Sequence, residues 1–403
     1  MLSFADARHT VEQHARSLRS GGAETVELLG ASGRVLAEPI IADRDFPPFA
    51  RATRDGFAVR ASDVSKVPAH LRIVAEIRAG ASAEPSIGPG ECAEIMTGAP
   101  APPGADAVVM VEYTTRAGGK VEIQRSAAVG ENIVPAGSEA WAGAELVARG
   151  TRLSYPQVAV AAAVGRSRIA VFRRPRVAVL STGDEIVDLD REPGPHQIRN
   201  SNSYSLAAQV TLAGGEPLCL PIAPDEPRRL RELIQEGLKA DLLLLTGGVS
   251  MGKYDLVEQV LGELHAEFLF TGAQIQPGRP VVFGRLGQPP SVRYFFGLPG
   301  NPISTMVTFD LFVRPVIAAL AGAAVEPLRF LRARLRSEVK TKTGLTRFLP
   351  ALLSGECDQT EVEPVRWQGS GDIAANARAD CYLVVPPDRE RIAAGELVAI
   401  LLR

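Results

Sequence analysis

The spacing of apolar residues changes along the chain and predicts different elements in different parts. Near the start, Val11, Ala15 and Leu18 recur at helical spacing. Ser3 can cap this helix at its N-terminus, and Gly21 lies where the helix should end. From about residue 26 to residue 147, short alternating runs between Gly/Pro clusters predict β-rich structure instead. These runs are VLAEPIIA, GFAVR, LRIVAEI, AVVMVEY and KVEIQR.

A short helix is predicted over 154–165. From residue 176 onward, short apolar runs alternate with amphipathic stretches. This alternation predicts a mostly parallel sheet with helices on both faces. From about residue 328 only strand signals remain, which indicates a small β-barrel or sandwich. Strands are predicted over 177–180, 217–220, 242–245, 267–270, 281–283 and 294–296, and helices over 202–213, 226–237, 255–264 and 302–320.

The fold class that follows is multidomain, α/β plus β. A length of 403 residues and a hydrophobic fraction of 46% allow several separate cores. We expect a helical linker region over 1–45 and 140–172, a β-rich N-terminal lobe over 46–139, a three-layer α/β domain over 173–326 and a C-terminal β-barrel-like domain over 327–403.

Charge and cysteine usage argue against several classes of protein. A net charge of −2 gives no basic footprint for nucleic acid. The four cysteines lie far apart, which argues against a zinc site and a disulfide framework. The N-terminus lacks the apolar core of a signal peptide, and the longest apolar stretch carries Asp310 and Arg314. We therefore expect a cytoplasmic protein that binds neither nucleic acid nor membrane.

Three predicted strands run into loops that combine small residues with hydrogen-bonding side chains: 181–185 (STGDE), 246–252 (TGGVSMG) and 297–302 (GLPGNP). In an open α/β sheet, ligands bind beyond the carboxyl ends of the strands. Glycine lets backbone N–H groups approach an anion, and a helix beginning at Pro302 should add free N–H donors and its positive end. Together the loops predict a phosphate-binding crevice, although each alone is as consistent with an ordinary turn. Neither a P-loop nor a G-x-G-x-x-G motif after a strand occurs.

Carboxylates accompany these loops. Asp184 and Glu185 follow the first strand, Asp225 precedes a predicted helix, and Asp255 follows the second loop. Carboxylates beside bound phosphates commonly hold Mg²⁺. The alternative for Asp225 and Asp255 is helix capping, because acidic residues are favoured where a helix begins.

An ordered set of motifs over nearly the whole chain resembles one family, the MoeA-type molybdopterin molybdenumtransferases of molybdenum cofactor biosynthesis, which also form the E domain of gephyrin. Any one motif is weakly specific, whereas the ordered set is highly specific. The motifs are GRVLAEPIIA (33–42), DGFAVRASD (55–63), IMTGAPAPPGADAVVMVE (95–112), STGDE (181–185), QIRNSNSY (197–204), TGGVSMGKYD (246–255), QPGRPVVFG (276–284), GLPGNP (297–302) and QGSGDI (368–373).

The resemblance implies an enzyme that inserts molybdate, as a substrate, into the dithiolene of adenylylated molybdopterin, releases AMP and needs Mg²⁺. It makes the α/β domain a molybdopterin-binding domain. It also implies a homodimer in which the lobe of one subunit completes the cleft of the other. The adenylyltransferase of the same pathway is a possible partner.

The family's functional residues fall on positions of this chain. The expected catalytic residues are Asp55, Thr97, Glu185, Asp225 and Asp255. Of these, Glu185, Asp225 and Asp255 are the expected Mg²⁺ ligands. The expected substrate-binding residues are Ser181, Thr182, Gly183, Gly247, Gly248, Ser250, Arg279, Pro299, Gly300, Asn301, Pro302 and Ser370. From the residues alone, Asp55-Gly56 would be a hairpin turn and Thr97-Gly98 a simple turn.

The chain departs from the family in its cations. Where the family commonly has Lys-Pro-Gly-Lys-Pro and a further lysine upstream, Gly272 and Gln276 replace two lysines and Arg279 replaces the third. A family arginine falls on Pro350, with Arg347 nearby. One hypothesis is that arginines replace the missing lysines as anion donors, namely Arg51, Arg54 and Arg279.

Two other functions compete with molybdate insertion. One is a molybdopterin adenylyltransferase-like enzyme, which uses a related α/β domain, usually alone. The other is a catalytically impaired scaffold or binding protein on the same fold, an alternative that the lost lysines keep open.

Overall fold

The computed structural model describes residues 1–81, 86–248, 256–288 and 292–403. The chain forms two compact units. The larger unit comprises Met1–Ala37, Gly150–Leu153 and Ile169–Arg403, and the smaller unit comprises Glu38–Arg149 and Ser154–Arg168. The four regions expected from the sequence divide the chain more finely and stay a prediction.

The smaller unit is built on a six-stranded sheet, as its alternating runs predict. In order across the sheet, the strands are Ala107–Met110, Gly56–Val59, Glu91–Ile95, Ala69–Ile77, Lys120–Ile123 and Thr114–Ala117. Neighbours are antiparallel except for the central pair of Ala69–Ile77 and Glu91–Ile95. The unit also contains the strands Ile40–Ile41, Arg51–Ala52, Ile133–Val134 and Glu145–Val147, the 3₁₀ turns Ala61–Val64 and Val111–Tyr113, and the helix Tyr155–Ala163.

A six-stranded mixed sheet forms the centre of the larger unit. Its order is Glu216–Cys219, Arg176–Ser181, Leu242–Thr246, Arg293–Leu298, Val282–Leu286 and Glu267–Thr271. The first four strands are parallel, whereas Val282–Leu286 is antiparallel to both of its neighbours. A parallel crossover needs a dozen or more residues, and the connection from Val282–Leu286 to Arg293–Leu298 is far shorter. These two strands therefore pair antiparallel. The predicted mostly parallel sheet is confirmed.

Both faces of this sheet are covered, which gives the predicted three layers. Val177 and Val179 lie in one hydrophobic core, and the alternate residues Ala178 and Leu180 lie in another. Parallel strands that are buried on both faces read as continuous apolar runs, as these do. The helices Ser201–Ala213, Pro302–Thr308 and Arg314–Leu320 contribute to the first core, and Pro227–Gly237 and Leu256–Glu263 contribute to the second.

Local sequence determines where the first helix of the larger unit begins. Phe4–Arg16 begins at Ser3, whose side chain accepts a hydrogen bond from the Asp6 N–H.

The predicted long helix continues from Pro302–Thr308 through a π-helical turn, Phe309–Val313, into Arg314–Leu320. This stretch is long and apolar enough to cross a membrane, but 72% of it is buried inside the fold, which makes it a core helix.

A closed five-stranded barrel forms the C-terminal part of the larger unit. Around the barrel the strands are Thr346–Ser354, Glu361–Pro364, Phe330–Leu335, Leu397–Leu402 and Cys381–Val385, and the last pairs with the first. The expectation that only strands occur after residue 328 is wrong, because Ile373–Arg378 is a helix that Asp372 caps. The remaining elements are the strands Ala23–Glu27, Arg168–Phe172, Ile186–Val187, Ile198–Arg199, Ile275–Gln276, Val339–Lys340 and Arg391–Ile392 and the 3₁₀ turns Leu28–Ala31 and Cys357–Gln359.

Truncating a leucine on the central sheet tests this core. Leu244 is 0% exposed and lies in the middle of the sheet. We expect Leu244→Ala to lower the free energy of unfolding by about 2–5 kcal/mol, because the sheet and its helices close only partly over the cavity. Denaturant unfolding followed by circular dichroism measures the loss. The matched control is Leu29→Ala, at a side chain that is 93% exposed. Equal effects of the two substitutions would contradict the assignment of the core.

Candidate functional site

The three loops expected to bind a ligand begin at one edge of the central sheet. Ser181 pairs with Thr246 in the parallel ladder, and Thr246 pairs with Leu298. Three neighbouring strands therefore end in register, and the chain segments that follow them emerge side by side.

Glycines let these loops touch through their backbones. Gly247 has a φ of +89°, and a Cβ atom there would overlap the carbonyl oxygen of Thr182. The Thr182 N–H in turn donates to the carbonyl of Thr246 at 3.0 Å. A Cβ at Gly300 would lie 3.5 Å from the Cα of Gly247, so the third loop also reaches the second. A side chain at position 247 would push the first two loops apart.

A buried network of hydroxyl and amide groups lies under the first loop. Ser181 Oγ donates to Asn200 Oδ1 at 3.1 Å and lies 2.8 Å from Ser203 Oγ. Asn200 caps the Ser201–Ala213 helix, because its Oδ1 also accepts from the Ser203 N–H. These bonds fix the end of the first strand against the start of that helix.

Asn202 joins the second and third loops. Its Nδ2 donates to Thr246 Oγ1 at 3.0 Å and to the carbonyl of Gly300 at 2.7 Å. Asn202 belongs to the motif QIRNSNSY, as do Asn200 and Ser203, but the sequence predicted no role for these three residues. The available signal was a run of short amide and hydroxyl side chains where a helix begins, at the same edge as the loops.

The acidic residues cluster around the first loop. Thr182 Oγ1 donates to Asp225 Oδ1 at 3.3 Å, and Asp184 Oδ1 accepts from the Asp225 N–H at 3.1 Å. The carboxylate of Glu185 folds back against Gly183, where a Cβ atom would overlap it. Capping is the wrong interpretation of Asp225, because the N-cap of the following helix is Glu226. The expected site residues Ser250 and Asp255 lie outside the described residues.

The third loop contacts the C-terminal barrel's Ser370 loop. The N–H of Ile303 donates to the carbonyl of Ser370 at 3.0 Å. This bond corrects the expectation of free N–H donors after Pro302, since Ile303 already has a partner. The Thr305 hydroxyl lies within hydrogen-bonding distance of the carbonyls of Pro299 and Asn301, and its single hydrogen bond to either of them holds the turn closed. Ser370 therefore lies beside the third loop, and its role in binding stays a prediction.

A buried arginine lies beside a position where the resemblance places a lysine. Gln276 and Arg347 are partners in a short parallel ladder, and Arg347 Nε donates to Gln276 Oε1 at 2.9 Å. Arg347 is only 8% exposed, and this burial lowers the pKa of its guanidinium. Arg279, by contrast, is exposed, and its Nε lies 3.4 Å from Met1 Sδ.

In the smaller unit, the two predicted catalytic residues contact each other. The Thr97 N–H donates to Asp55 Oδ1 at 2.6 Å, and both residues are exposed. This bond and the Thr97 hydroxyl lower the pKa of Asp55. The hairpin interpretation of Asp55-Gly56 is wrong, because the strands on either side of it pair with other strands. Thr97-Gly98 does form a turn, in which the Ala99 N–H donates to the Met96 carbonyl at 3.0 Å.

The proposed replacement cations of this unit have partners of their own. Arg51 forms an ion pair with Glu139, with an N–O distance of 3.1 Å. Arg54 Nη1 lies 3.5 Å from the carbonyl of its neighbour Thr53. The hypothesis that they replace lysines as anion donors stays a prediction.

Three family models match successive parts of the chain. The "MoeA N-terminal region (domain I and II)" matches residues 2–165, the "Probable molybdopterin binding domain" matches residues 178–319, and the "MoeA C-terminal region (domain IV)" matches residues 332–402. The chain is 40% identical over 323 residues to a molybdopterin molybdenumtransferase of Nostoc sp., covering 78% of this chain and 74% of that protein. To the Bacillus subtilis molybdopterin molybdenumtransferase it is 33% identical over 393 residues, covering 95% and 90%.

A solved structure supports the fold over the full length. The molybdopterin biosynthesis moeA protein of Pyrococcus horikoshii OT3 superposes with a TM-score of 0.82 at 29% identity, covering 100% of both chains. Fold and domain order define a transferase of molybdenum cofactor biosynthesis with a molybdopterin-binding domain at its centre. The chain belongs to the MoeA family of molybdopterin molybdenumtransferases.

The contact between the first two loops predicts a specific intolerance at Gly247. We expect Gly247→Ala to lower the free energy of unfolding by about 1–3 kcal/mol, because alanine is strained at positive φ and its Cβ meets the Thr182 carbonyl. The control is Gly262→Ala, at a helical glycine whose added Cβ meets nothing within 4 Å. That substitution should be neutral or stabilising. Thermal and denaturant unfolding compare the two, and a Gly247→Ala variant as stable as the wild type would contradict the loop contact.

The bond between Asp55 and Thr97 predicts a pH dependence in the smaller unit. The pKa of Asp55 should lie below its ordinary value of 3.8, because the Thr97 N–H and hydroxyl favour the carboxylate. The resulting stabilisation is present above the pKa of Asp55 in the unfolded chain and is lost as pH falls through the lower folded pKa. Carboxyl-detected NMR titration measures it. Thr97→Ala should raise the pKa partly and Thr97→Ser should leave it low, while an ordinary pKa in the wild type would refute the bond.

Proposed function

We propose that the crevice at the carboxyl edge of the central sheet receives adenylylated molybdopterin, and that molybdate is inserted there into the dithiolene with release of AMP. The observation that carries this proposal is the convergence of three loops. Thr182 touches Gly247, Gly247 lies against Gly300, and the hydroxyl of Thr182 reaches Asp225. Backbone N–H groups that small residues expose suit the adenylyl phosphates, and carboxylates stand beside them.

The described carboxylates fit a Mg²⁺ ion that also binds substrate. Among the described residues no group of three His, Cys, Asp or Glu could hold a metal without help. Mg²⁺, however, is usually held by one or two carboxylates together with substrate phosphates and water. Glu185 and Asp225 would supply those carboxylates, and Asp255 is expected to join them. Bound there, the metal would neutralise charge that develops as the phosphoanhydride link breaks.

The residues of this chain have distinct roles in that reaction. Thr182 orients Asp225 by donating a hydrogen bond from its hydroxyl to the carboxylate, and the Asp184 carboxylate accepts a hydrogen bond from the Asp225 N–H. Gly247 and Gly248 admit the phosphates, with Ser250 expected beside them. Asn301, Pro302 and Ser370 border the crevice at the third loop. For the molybdate dianion, Arg347 and Arg279 supply fixed cations close to the lost lysines.

The proposal also includes the quaternary assembly and the cellular setting. Asp55 and Thr97 form an exposed hydrogen-bonded pair in the smaller unit. We place them in the crevice of a partner subunit within a homodimer, as the resemblance implies. The enzyme would work in the cytoplasm, and the adenylyltransferase that makes its substrate would be a partner.

An AMP-release assay tests the proposal and separates it from its alternatives. Purified chain with adenylylated molybdopterin and Mg²⁺ should release AMP when molybdate is added. Asp225→Asn should slow the release at least about tenfold, because it removes one charge from the expected metal ligands. Glu236→Gln, on the helix that follows Asp225, should leave the rate unchanged.

Two other results would contradict molybdate insertion in this crevice. Formation of adenylylated product from ATP and molybdopterin would indicate the adenylyltransferase. A folded wild-type chain that releases no AMP would indicate the scaffold.

A further inference from the structure

A buried side chain that the roles above do not use lies between the second and third loops. Asn202 is 8% exposed, near the start of the Ser201–Ala213 helix. Its Nδ2 donates both of its hydrogen bonds to these loops, one to Thr246 Oγ1 and one to the carbonyl of Gly300. It therefore lies among the loops that the proposed function assigns to the substrate.

The orientation of this amide is determined by its neighbours. Turning it over would place its oxygen against the carbonyl of Gly300, where two acceptors would repel each other. The hydroxyl of Thr246 already donates to the carbonyl of Pro299 at 3.2 Å, so it accepts from Asn202. Hence Nδ2 faces Thr246 and Gly300, and these two hydrogen bonds leave Oδ1 without a part in them.

Asn202 Oδ1 is buried and has no hydrogen-bond partner among the described residues. Leaving a buried acceptor unpaired is unfavourable, and such groups in native proteins call for an explanation. A donor from a bound molecule would satisfy this oxygen. Gln209 lies two turns further along the same helix and also has a buried oxygen for which the described part of the chain offers no partner. Its Nε2 donates to the carbonyl of Met306, within the Pro302–Thr308 helix, so it contacts none of the three loops in this way and serves as a matched control.

We infer that Asn202 determines ligand specificity: its Oδ1 accepts a hydrogen bond from the amino group of the nitrogen heterocycle that the loops bind. The inference rests on the proposed function, which brings two such heterocycles into the crevice, the pterin and the adenine. Both carry an exocyclic amino group, and an amide oxygen is a suitable acceptor for it. A site with a buried acceptor disfavours analogues that lack the donor, because the acceptor then stays unpaired.

Ligand pairs that differ in the amino group test the inference. AMP is compared with purine riboside 5′-monophosphate, and 6-hydroxymethylpterin with 6-hydroxymethyllumazine. Isothermal titration calorimetry with the full chain gives the four dissociation constants. We expect the wild type to prefer the amino-bearing member of one pair by roughly 3- to 10-fold, the contribution of one hydrogen bond. The pair that shows this preference identifies the heterocycle beside Asn202.

Variants then assign the preference to the side chain. Asn202→Ala should abolish it, whereas Gln209→Ala should retain it, and the comparison forms a double-mutant cycle between residue and ligand. A preference that persists in Asn202→Ala overturns the inference. If that variant does not fold, the wild type still decides, because equal affinity within both pairs also overturns it. Failure of all four ligands to bind the wild type contradicts the proposed function itself, and the inference with it.

Discussion

The register of three parallel strands is the constraint on which the rest of the site depends. Ser181, Thr246 and Leu298 end their strands at one level. Because successive side chains of a strand point to opposite faces, a shift of one residue would exchange the side chains that pack into the two cores. The close packing of both cores therefore holds the register, and the register determines where the loops emerge. Loops on unaligned strands could not touch through their glycines.

Small residues and short polar side chains make that aligned edge the candidate binding site. Gly247 allows the backbones to approach, while Asn200 and Asn202 link the strand ends to the helix that begins behind them. The acidic residues stand at the side of the first loop, with Asp225 oriented by Thr182. In the proposed function, phosphate recognition and metal ligation fall on adjoining parts of one edge, which would suit a reaction that breaks a phosphoanhydride while metal and oxyanion are held nearby.

Local features of the sequence were sufficient for most of the elements. Ser3 and Gly214 stand at the predicted start of one helix and end of another, and the Val-rich and Leu-rich runs became the central strands. Contacts between distant residues could not be found in this way. Asn202 lies 98 residues from Gly300, and Gln276 lies 71 residues from Arg347. Only the folded topology brings such residues together, so sequence patterns supplied candidates for the site but not its hydrogen bonds.

The expectations that the structure overturned also have physical causes. Asp55-Gly56 has the composition of a hairpin turn, but its flanking strands find partners elsewhere, and tertiary pairing overrides local preference. The short helix at Ile373–Arg378 depends on a single capping residue, Asp372. The Ile303 N–H, expected to face a ligand, is instead bonded to a loop far along the chain. For Asp55-Gly56 and for Ile303, a non-local partner replaced the local expectation.

The central claim is that the loops at this edge hold the adenylyl phosphate. A crystal structure of the full chain with AMP and Mg²⁺ tests it most directly. We predict that the phosphate lies within hydrogen-bonding distance of the backbone at Thr182–Gly183 or Gly247–Gly248, with the metal on Glu185 or Asp225. Nucleotide bound elsewhere on the chain, with these loops empty, would contradict the account.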